Sequence, residues 1–400
     1  MKKLYFLAIA LLATAFAMAQ CNGRYQTEIF TSTDVATVDY SDVYTGLEHR
    51  MDIYTATGDT VSDRPVIFYL HGGSFYSGDK SMSDCVDFCT SMAKRGYVAV
   101  SLNYRLANII SFLSSNTEQY KAVLRSVADL KAGVRFLRKD FTIGDTYGID
   151  PNTIFIGGYS AGAVAALHSA FIDSISDLSA TVQALMPTIG GTLEGDAGNF
   201  GYSSEVQGVV SFAGGIHNLN WIDGGDEPLV SIQGTADMTV NYNCGPGLNN
   251  PSIITLCGSG EMHPKADSVG LLNSHLSFSG TDHLWAATGN SNPLFIDAVN
   301  FSVNFLYPLL PCYGLSGCTD STATNYNPLA NMDDGSCIYC NITSSFFSNN
   351  PTSLTSCDGV ILANVTSNYP IVSYSWINSQ GSFIGSSNFM DSLCNDAYIL

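Results

Sequence analysis

One serine in this 400-residue chain stands in a setting suited to nucleophilic chemistry. Gly157-Gly158-Tyr159-Ser160-Ala161-Gly162 follows the apolar run Thr153-Ile154-Phe155-Ile156 and leads into the small-residue stretch Ala163-Val164-Ala165-Ala166-Leu167-His168. This is G-x-S-x-G between a strand and a helix, where a strained turn lifts the serine above the sheet edge and glycines on either side avoid collisions. A serine hydroxyl attacks a carbonyl efficiently only when a base takes its proton and an acid orients that base. Two downstream loops offer these groups in the order serine, acid, histidine. Gln233-Gly234-Thr235-Ala236-Asp237 follows an apolar strand at 229–232, and Gly280-Thr281-Asp282-His283 follows another at 276–278. Ser160 is therefore expected to be the nucleophile, His283 the general base and Asp237 the orienting acid of a two-step acyl transfer.

The other histidines and acids fit less well. His275 precedes its strand and is expected at the opposite sheet edge, His168 lies inside a helix, and His49, His217 and His263 have no strand-end context. Asp282 would point away along its loop, while Asp223, Asp226 and Glu227 precede their strand.

The tetrahedral intermediate of such a reaction carries an oxyanion. His71-Gly72-Gly73-Ser74-Phe75 ends the apolar run Pro65-Val66-Ile67-Phe68-Tyr69-Leu70, so the backbone N–H groups of Gly72 and Gly73, with that of Ala161, are expected to bind it. Each such donor is worth about 3 kcal/mol in the transition state. Ser74 and Tyr159 are expected to contact substrate, and His71 to buttress the loop. The chemistry needs no cofactor and no metal.

These residues need a sheet to position them. From 20 to about 310, short β-branched or aromatic runs alternate with helical stretches, which predicts an α/β fold with a mostly parallel, doubly wound sheet. Strands are expected at 65–70, 97–102, 153–156, 206–212, 229–232 and 276–278, and helices at 84–94, 120–136 and 294–306. The helix at 120–136 is marked by Val123, Val127, Leu130, Val134 and Leu137 at three- and four-residue spacing. Two long intervals, 173–204 and 241–273, read as insertions of the kind that form lids or binding loops.

Lys2 and Lys3 precede an apolar run that ends in Ala17-Met18-Ala19, the pattern of a secretory leader cleaved after Ala19. The run is short for a membrane span, and Gln20 is a poor neighbour for a lipid anchor on Cys21. The formal net charge of -19 argues against nucleic-acid or anionic-membrane partners. All eleven cysteines lie beyond the cleavage site, so most are expected to be paired in an oxidising compartment, secreted or at the cell surface. An odd number leaves at least one without an internal partner.

Together, His71-Gly72-Gly73, Asn103-Tyr104-Arg105, the elbow around Ser160, Gly234-Thr235-Ala236-Asp237 and the late His283 resemble the α/β-hydrolase superfamily. The likeness is to its carboxylesterase, hormone-sensitive-lipase-like or feruloyl-esterase-like branches and runs from about Asp52 to Leu310. It implies a serine carboxylic-ester hydrolase acting on a small-molecule or polysaccharide-linked ester. The rival readings are an inactive hydrolase-fold adhesion protein and a serine peptidase of related fold, although no propeller-like domain precedes the hydrolase part. The loop departs from the family pattern in reading His-Gly-Gly-Ser where His-Gly-Gly-Gly is usual. The stretch 241–260 holds Cys244 and Cys257, whose pairing is expected to fix a substrate-side wall near His283 rather than to stabilise the sheet.

The cysteine distribution shifts near Pro311, which divides the chain into a leader (1–19), a catalytic domain (20–310), a Cys/Asp-rich module (311–340) and a β-sandwich-like domain (341–400). The module, Gly317-Cys318-Thr319-Asp320 through Asp333-Asp334-Gly335-Ser336-Cys337, resembles small modules of large secreted bacterial proteins. A Cys318–Cys337 bridge is expected. Cys340 is also expected to be bonded, and Asp320, Asp333 and Asp334 are weak calcium candidates. The last part, with Ile371 to Trp376 read as a strand, resembles immunoglobulin-like repeats of bacterial adhesins and would offer surface glycans a contact. Tyr398-Ile399-Leu400 reads as the middle of a strand, so the sandwich is expected to continue.

Overall fold

The computed structural model describes residues 21, 23–313, 316–327, 330, 332–333, 335–339, 342–367 and 370–400. The expected leader, Asp334 and Cys340 lie outside them. The chain forms two compact units, Met1–Tyr313 and Gly314–Leu400.

The first unit is built on one eight-stranded sheet. Its strands are β1 Thr33–Asp39, β2 Arg50–Ala56, β3 Arg64–Leu70, β4 Val98–Leu102, β5 Ile149–Tyr159, β6 Val209–Phe212, β7 Leu229–Gly234 and β10 Asn273–Phe278, in the order β1-β2-β4-β3-β5-β6-β7-β10. β1 and β2 are antiparallel to their neighbours, and the pairings from β4 through β10 are parallel. The intervening helices are α1 Ser83–Lys94, α2 Ile109–Ser114, α3 Asn116–Ile143, α4 Ala161–Phe171, α5 Ala180–Gln183, α6 Ser259–Val269 and α7 Pro293–Leu306.

Helices cover both faces because the strands are apolar on both. In β3, Val66, Phe68 and Leu70 pack on one side with Leu130 and Val134 of α3 and Ala165 of α4. Ile67 and Tyr69 point the other way, against Phe88 and Met92 of α1 and Phe295 and Val299 of α7. Such a two-sided core is what near-continuous apolar strands of a parallel sheet require.

Several boundaries differ from the sequence reading. β10 is longer than expected and takes in His275, which stacks on His263 with ring centroids 4.5 Å apart; it does not sit beyond the strand's start. The interval 241–273 is more ordered than an insertion suggests, holding the hairpin β8 Cys244–Pro246 and β9 Thr255–Cys257 and then α6. Pro264 inside α6 masked its helical pattern.

Disulfides join Cys244 to Cys257 and Cys21 to Cys312. The second closes 291 residues of sequence separation around the unit, a constraint worth about 6 kcal/mol in the chain-entropy model. Cys85 and Cys89 stay as thiols, one helical turn apart on the buried side of α1.

The second unit holds the bridges Cys318–Cys337 and Cys357–Cys394. A short parallel pair, β11 Ser316–Gly317 and β12 Met332–Asp333, precedes two three-stranded antiparallel sheets. These are β13 Ile342–Asn349 with β14 Gly359–Ser367 and β17 Phe389–Leu393, and β15 Trp376–Asn378 with β16 Phe383–Gly385 and β18 Tyr398–Ile399. The strand expected at 371–376 begins only at Trp376: Ile371 and Val372 are exposed, while Trp376 is buried and its indole N–H donates to the Ser387 carbonyl at 2.8 Å.

Candidate active site

The parallel register brings five strand ends level. Leu70 of β3 lies opposite Gly158 of β5, Tyr159 opposite Phe212 of β6, and Gly234 of β7 opposite Phe278 of β10. The loops carrying residues 71–75, Ser160, Asp237 and His283 therefore leave the same edge of the sheet, the usual ligand edge of an open α/β sheet.

Ser160 takes the strained conformation of a sharp turn, with φ 55° and ψ -120°, and caps the N-terminus of α4. That turn fits only where its flanks lack side chains. A Cβ on Gly158 would lie 2.6 Å from the Leu70 carbonyl oxygen, and one on Gly162 would press into the carbonyls of Leu70 and His71.

Ser160 Oγ is 2.8 Å from His283 Nε2, and His283 Nδ1 is 2.7 Å from Asp237 Oδ2. A carboxylate only accepts, so Nδ1 carries the proton and Nε2 is left to accept from the serine hydroxyl. All three side chains are buried. The second Asp237 oxygen accepts from the N–H groups of Thr239 at 2.9 Å and Val240 at 3.0 Å, which fixes the carboxylate plane. The acid and histidine loops are also joined directly, since Ala236 N donates to Thr281 O at 3.0 Å. Asp282 is exposed and caps the turn His283–Ala286.

The loop after β3 is unusual in its backbone: Gly73, Ser74 and Phe75 have φ of 112°, 55° and 64°. The N–H groups of Gly73 and Ser74 take no partner among the described residues. Ala161 opens α4, so its N–H belongs to the unpaired first turn of a helix. His71 stacks on Tyr104 at 4.3 Å, its Nδ1 lies 2.6 Å from Gly72 O, and burial pushes its pKa down to about 4. These contacts make it a neutral prop for the loop.

Of the two expected substrate contacts, Ser74 lines the cavity at Ser160 and Tyr159 does not. Tyr159 is buried behind the histidine, with its hydroxyl donating to His283 O at 3.0 Å and its ring stacked on the imidazole at 5.2 Å. The alternation of β5 explains this correction: the side chain before the elbow points into the sheet's helix layer while the serine points out.

Gln233 was not singled out from sequence, because a glutamine at a strand end carries no motif. It is fully buried; its Nε2 donates to Val240 O at 2.7 Å and approaches Asp237 Oδ2 at 3.4 Å, and its Oε1 accepts from Ser259 N at 2.8 Å.

A cavity of about 50 Å³ opens at Ser160 and Ala161 between Ser74, Val240 and Leu248. Through Phe75, Phe112, Val164, Ile253 and Leu256 it adjoins a larger one of about 230 Å³. The loop closed by Cys244 and Cys257 supplies Gly247, Leu248, Ile253 and Leu256 to these walls.

For metal ions the candidates are sparse. Asp320 has both carboxylate oxygens engaged, by Thr322 and Tyr339, and the Asp333 side chain lies outside the described residues. The carboxylates of Asp173, Asp223 and Asp226 approach within 4.8 Å of one another on the surface.

Residues 51–224 match the BD-FAE family profile. The first unit has the α/β-hydrolase fold. Over 101 residues the chain is 32% identical to Gut esterase 1 of Caenorhabditis elegans, covering 25% of this chain and 17% of that protein. Carboxylesterase 3B of Mus musculus is 33% identical over 128 residues, 32% of this chain and 21% of its own length. The chain thus spans about a fifth of the length of these curated relatives. A truncated carbohydrate esterase from gut microbiota superposes with a TM-score of 0.48 at 18% identity, covering 70% of this chain and 97% of that one. No helix among the described residues is long and apolar enough to cross a membrane.

Proposed function

We propose that the protein is a serine carboxylic-ester hydrolase, with Ser160 as nucleophile, His283 as general base and acid, and Asp237 as the group that orients His283. The observation that carries this reading is the single imidazole held between Ser160 Oγ and Asp237 Oδ2 at 2.8 and 2.7 Å. His283 Nε2 takes the serine proton as Oγ attacks the ester carbonyl, and Asp237 stabilises the imidazolium that forms. The N–H groups of Gly72, Gly73 and Ala161 face the developing oxyanion, with Ser74 offering a further donor. His283 then protonates the departing alcohol, and water repeats the sequence on the acyl-enzyme.

The same proposal includes export. An apolar leader before Ala19 and four disulfides among the described residues both suit an oxidising compartment. The C-terminal unit, with its disulfide-stapled module and antiparallel sheets, would serve attachment or surface glycan contact. The alcohol side of the substrate is a small molecule or a polysaccharide.

Hydrolysis of a nitrophenyl acetate or butyrate by wild type and Ser160→Ala tests the assignment. Activity that falls by at least 10³-fold in the variant is expected. Wild type as inert as the variant across short and aryl acyl esters would leave an inactive scaffold, and faster cleavage of a proline-containing peptide amide than of esters would favour a peptidase.

A further inference from the structure

Behind Asp237, strand β7 and helix α6 face each other across polar side chains. Ser231 and Gln233 stand two residues apart on β7, on the side of the sheet that Leu229 shares with Met262 and Ala266 of α6, while Val230 and Ile232 point into the opposite core. Ser259 and His263 stand one turn apart on α6. All four are at most 2% exposed. The hydrogen bonds among them run in one direction. The Asn273 amide nitrogen donates to Asp267 Oδ1 and to the Leu271 carbonyl, each at 2.9 Å, so its oxygen is the atom that faces His263 Nδ1 at 2.6 Å. An amide oxygen only accepts, so Nδ1 carries the proton and Nε2 accepts from the Ser231 hydroxyl at 2.5 Å. Ser231 has one proton to give, so the Ser259 hydroxyl donates to it at 2.8 Å. The Ser259 N–H donates in turn to Gln233 Oε1 at 2.8 Å, which leaves Gln233 Nε2 facing Val240 O and Asp237 Oδ2. Burial pushes the pKa of His263 down to about 4, so the ring is neutral near pH 7 and Nε2 stays an acceptor.

We propose that His263 is a positioning residue for the ester hydrolysis: with Ser231 and Ser259 it sets the amide of Gln233, and that amide sets the Asp237 carboxylate. The inference rests on the serine-esterase reading. Packing alone does not require this chain of bonds. Apolar partners of matching shape would hold α6 on β7 about as well, since a satisfied hydrogen bond adds only about 1 kcal/mol net. An apolar contact has no direction, and a glutamine amide turned over would set its oxygen against the Asp237 carboxylate. The bonds of His263 and Ser259 to Ser231 place the first turn of α6 so that Ser259 N meets Gln233 Oε1, and that contact fixes which end of the amide faces Asp237 Oδ2. His283 Nδ1 reaches the same oxygen at 2.7 Å. The influence of His263 on the reaction therefore passes through one amide.

The test compares wild type, His263→Leu, His263→Gln, Gln233→Met and the double variant His263→Leu/Gln233→Met on nitrophenyl acetate, with kcat counted per serine titrated by a nitrophenyl phosphonate so that unfolded enzyme drops out. His263→Leu is expected to lower kcat about tenfold with KM changed by less than about twofold. His263→Gln, whose side-chain oxygen accepts from Ser231, is expected to recover most of that loss. The double variant is expected to match Gln233→Met within about twofold, because both changes act on the same amide. If His263→Leu does not fold, Ser231→Ala breaks the same chain with a smaller change and is held to the same fall in kcat and the same match in combination with Gln233→Met. An unchanged kcat in His263→Leu or Gln233→Met, a loss that His263→Gln does not relieve, or losses that multiply in the double variant overturns the inference, while wild-type hydrolysis keeps the esterase reading intact. Wild type no faster than Ser160→Ala overturns both.

Discussion

Gln233 Nε2 stands 3.4 Å from Asp237 Oδ2, the same oxygen that His283 Nδ1 reaches at 2.7 Å. Gln233 thus holds the Asp237 carboxylate from behind while tying it to the N-terminus of α6 through Ser259. Gln233→Glu places a second carboxylate beside Asp237 and leaves Val240 O without its donor. The expected result is a kcat reduced at least tenfold, KM changed less than twofold, and the acid limb of the kcat/KM profile moved to higher pH, because added negative charge favours the imidazolium. Gln233→Met, which removes the bonds without adding charge, should lower kcat and leave the limb in place. Identical pH profiles for the two variants would remove Gln233 from the electrostatics of the site.

Gly162 packs where α4 passes under the end of β3, with the Leu70 and His71 carbonyls filling the space a side chain would need. Gly162→Ala forces α4 away from the strand. Overpacking of this kind costs about 1–3 kcal/mol, and a serine displaced by about 1 Å loses on the order of 10²-fold in rate. Thermal unfolding and esterase kinetics on the same preparation should show both losses together. Retained kcat with a lowered Tm would mean that the elbow tolerates the shift.

Cys244 and Cys257 close a loop whose Leu248, Ile253 and Leu256 wall the cavity beside Ser160, which His283 does not line. Replacing both with serine frees a wall of the cavity beside Ser160 while leaving the eight-stranded sheet untouched. KM for longer acyl esters should rise severalfold with Tm nearly constant. Unchanged kinetics with a large fall in Tm would make the bridge a staple for stability only.

Asp84 is buried in the first turn of α1, its Oδ1 has no partner among the described residues, and burial raises its pKa to about 7. The folded state therefore holds a proton that the unfolded chain has already released above pH 4. With more protons bound when folded, stability is full below pH 4 and falls as pH rises toward 7, by a few kcal/mol in all. Denaturant unfolding between pH 4 and 8 should show this decline, and Asp84→Asn should make it shallower, with Asp129, Asp226 and Glu227, whose pKa values burial also raises, carrying the rest. A wild-type curve already flat over that range would place the carboxyl in contact with water.

The sequence by itself determined what depends on neighbours along the chain. The elbow at Ser160 is legible because a strained strand-to-helix turn needs glycine at 158 and 162 whatever surrounds it. Asp237 and His283 are legible because the level strand ends of a parallel sheet put each on the first loop after an apolar run. The Cys244–Cys257 pairing followed from a short loop with few apolar residues.

Only the tertiary structure decided what depends on packing between distant segments. Tyr159 is adjacent to Ser160 in sequence, yet the alternation of β5 sends its ring behind His283 and away from the cavity. Gln233 became visible only once Ser259 and Val240 folded back onto it. The Cys21–Cys312 bridge joins residues that nothing local connects.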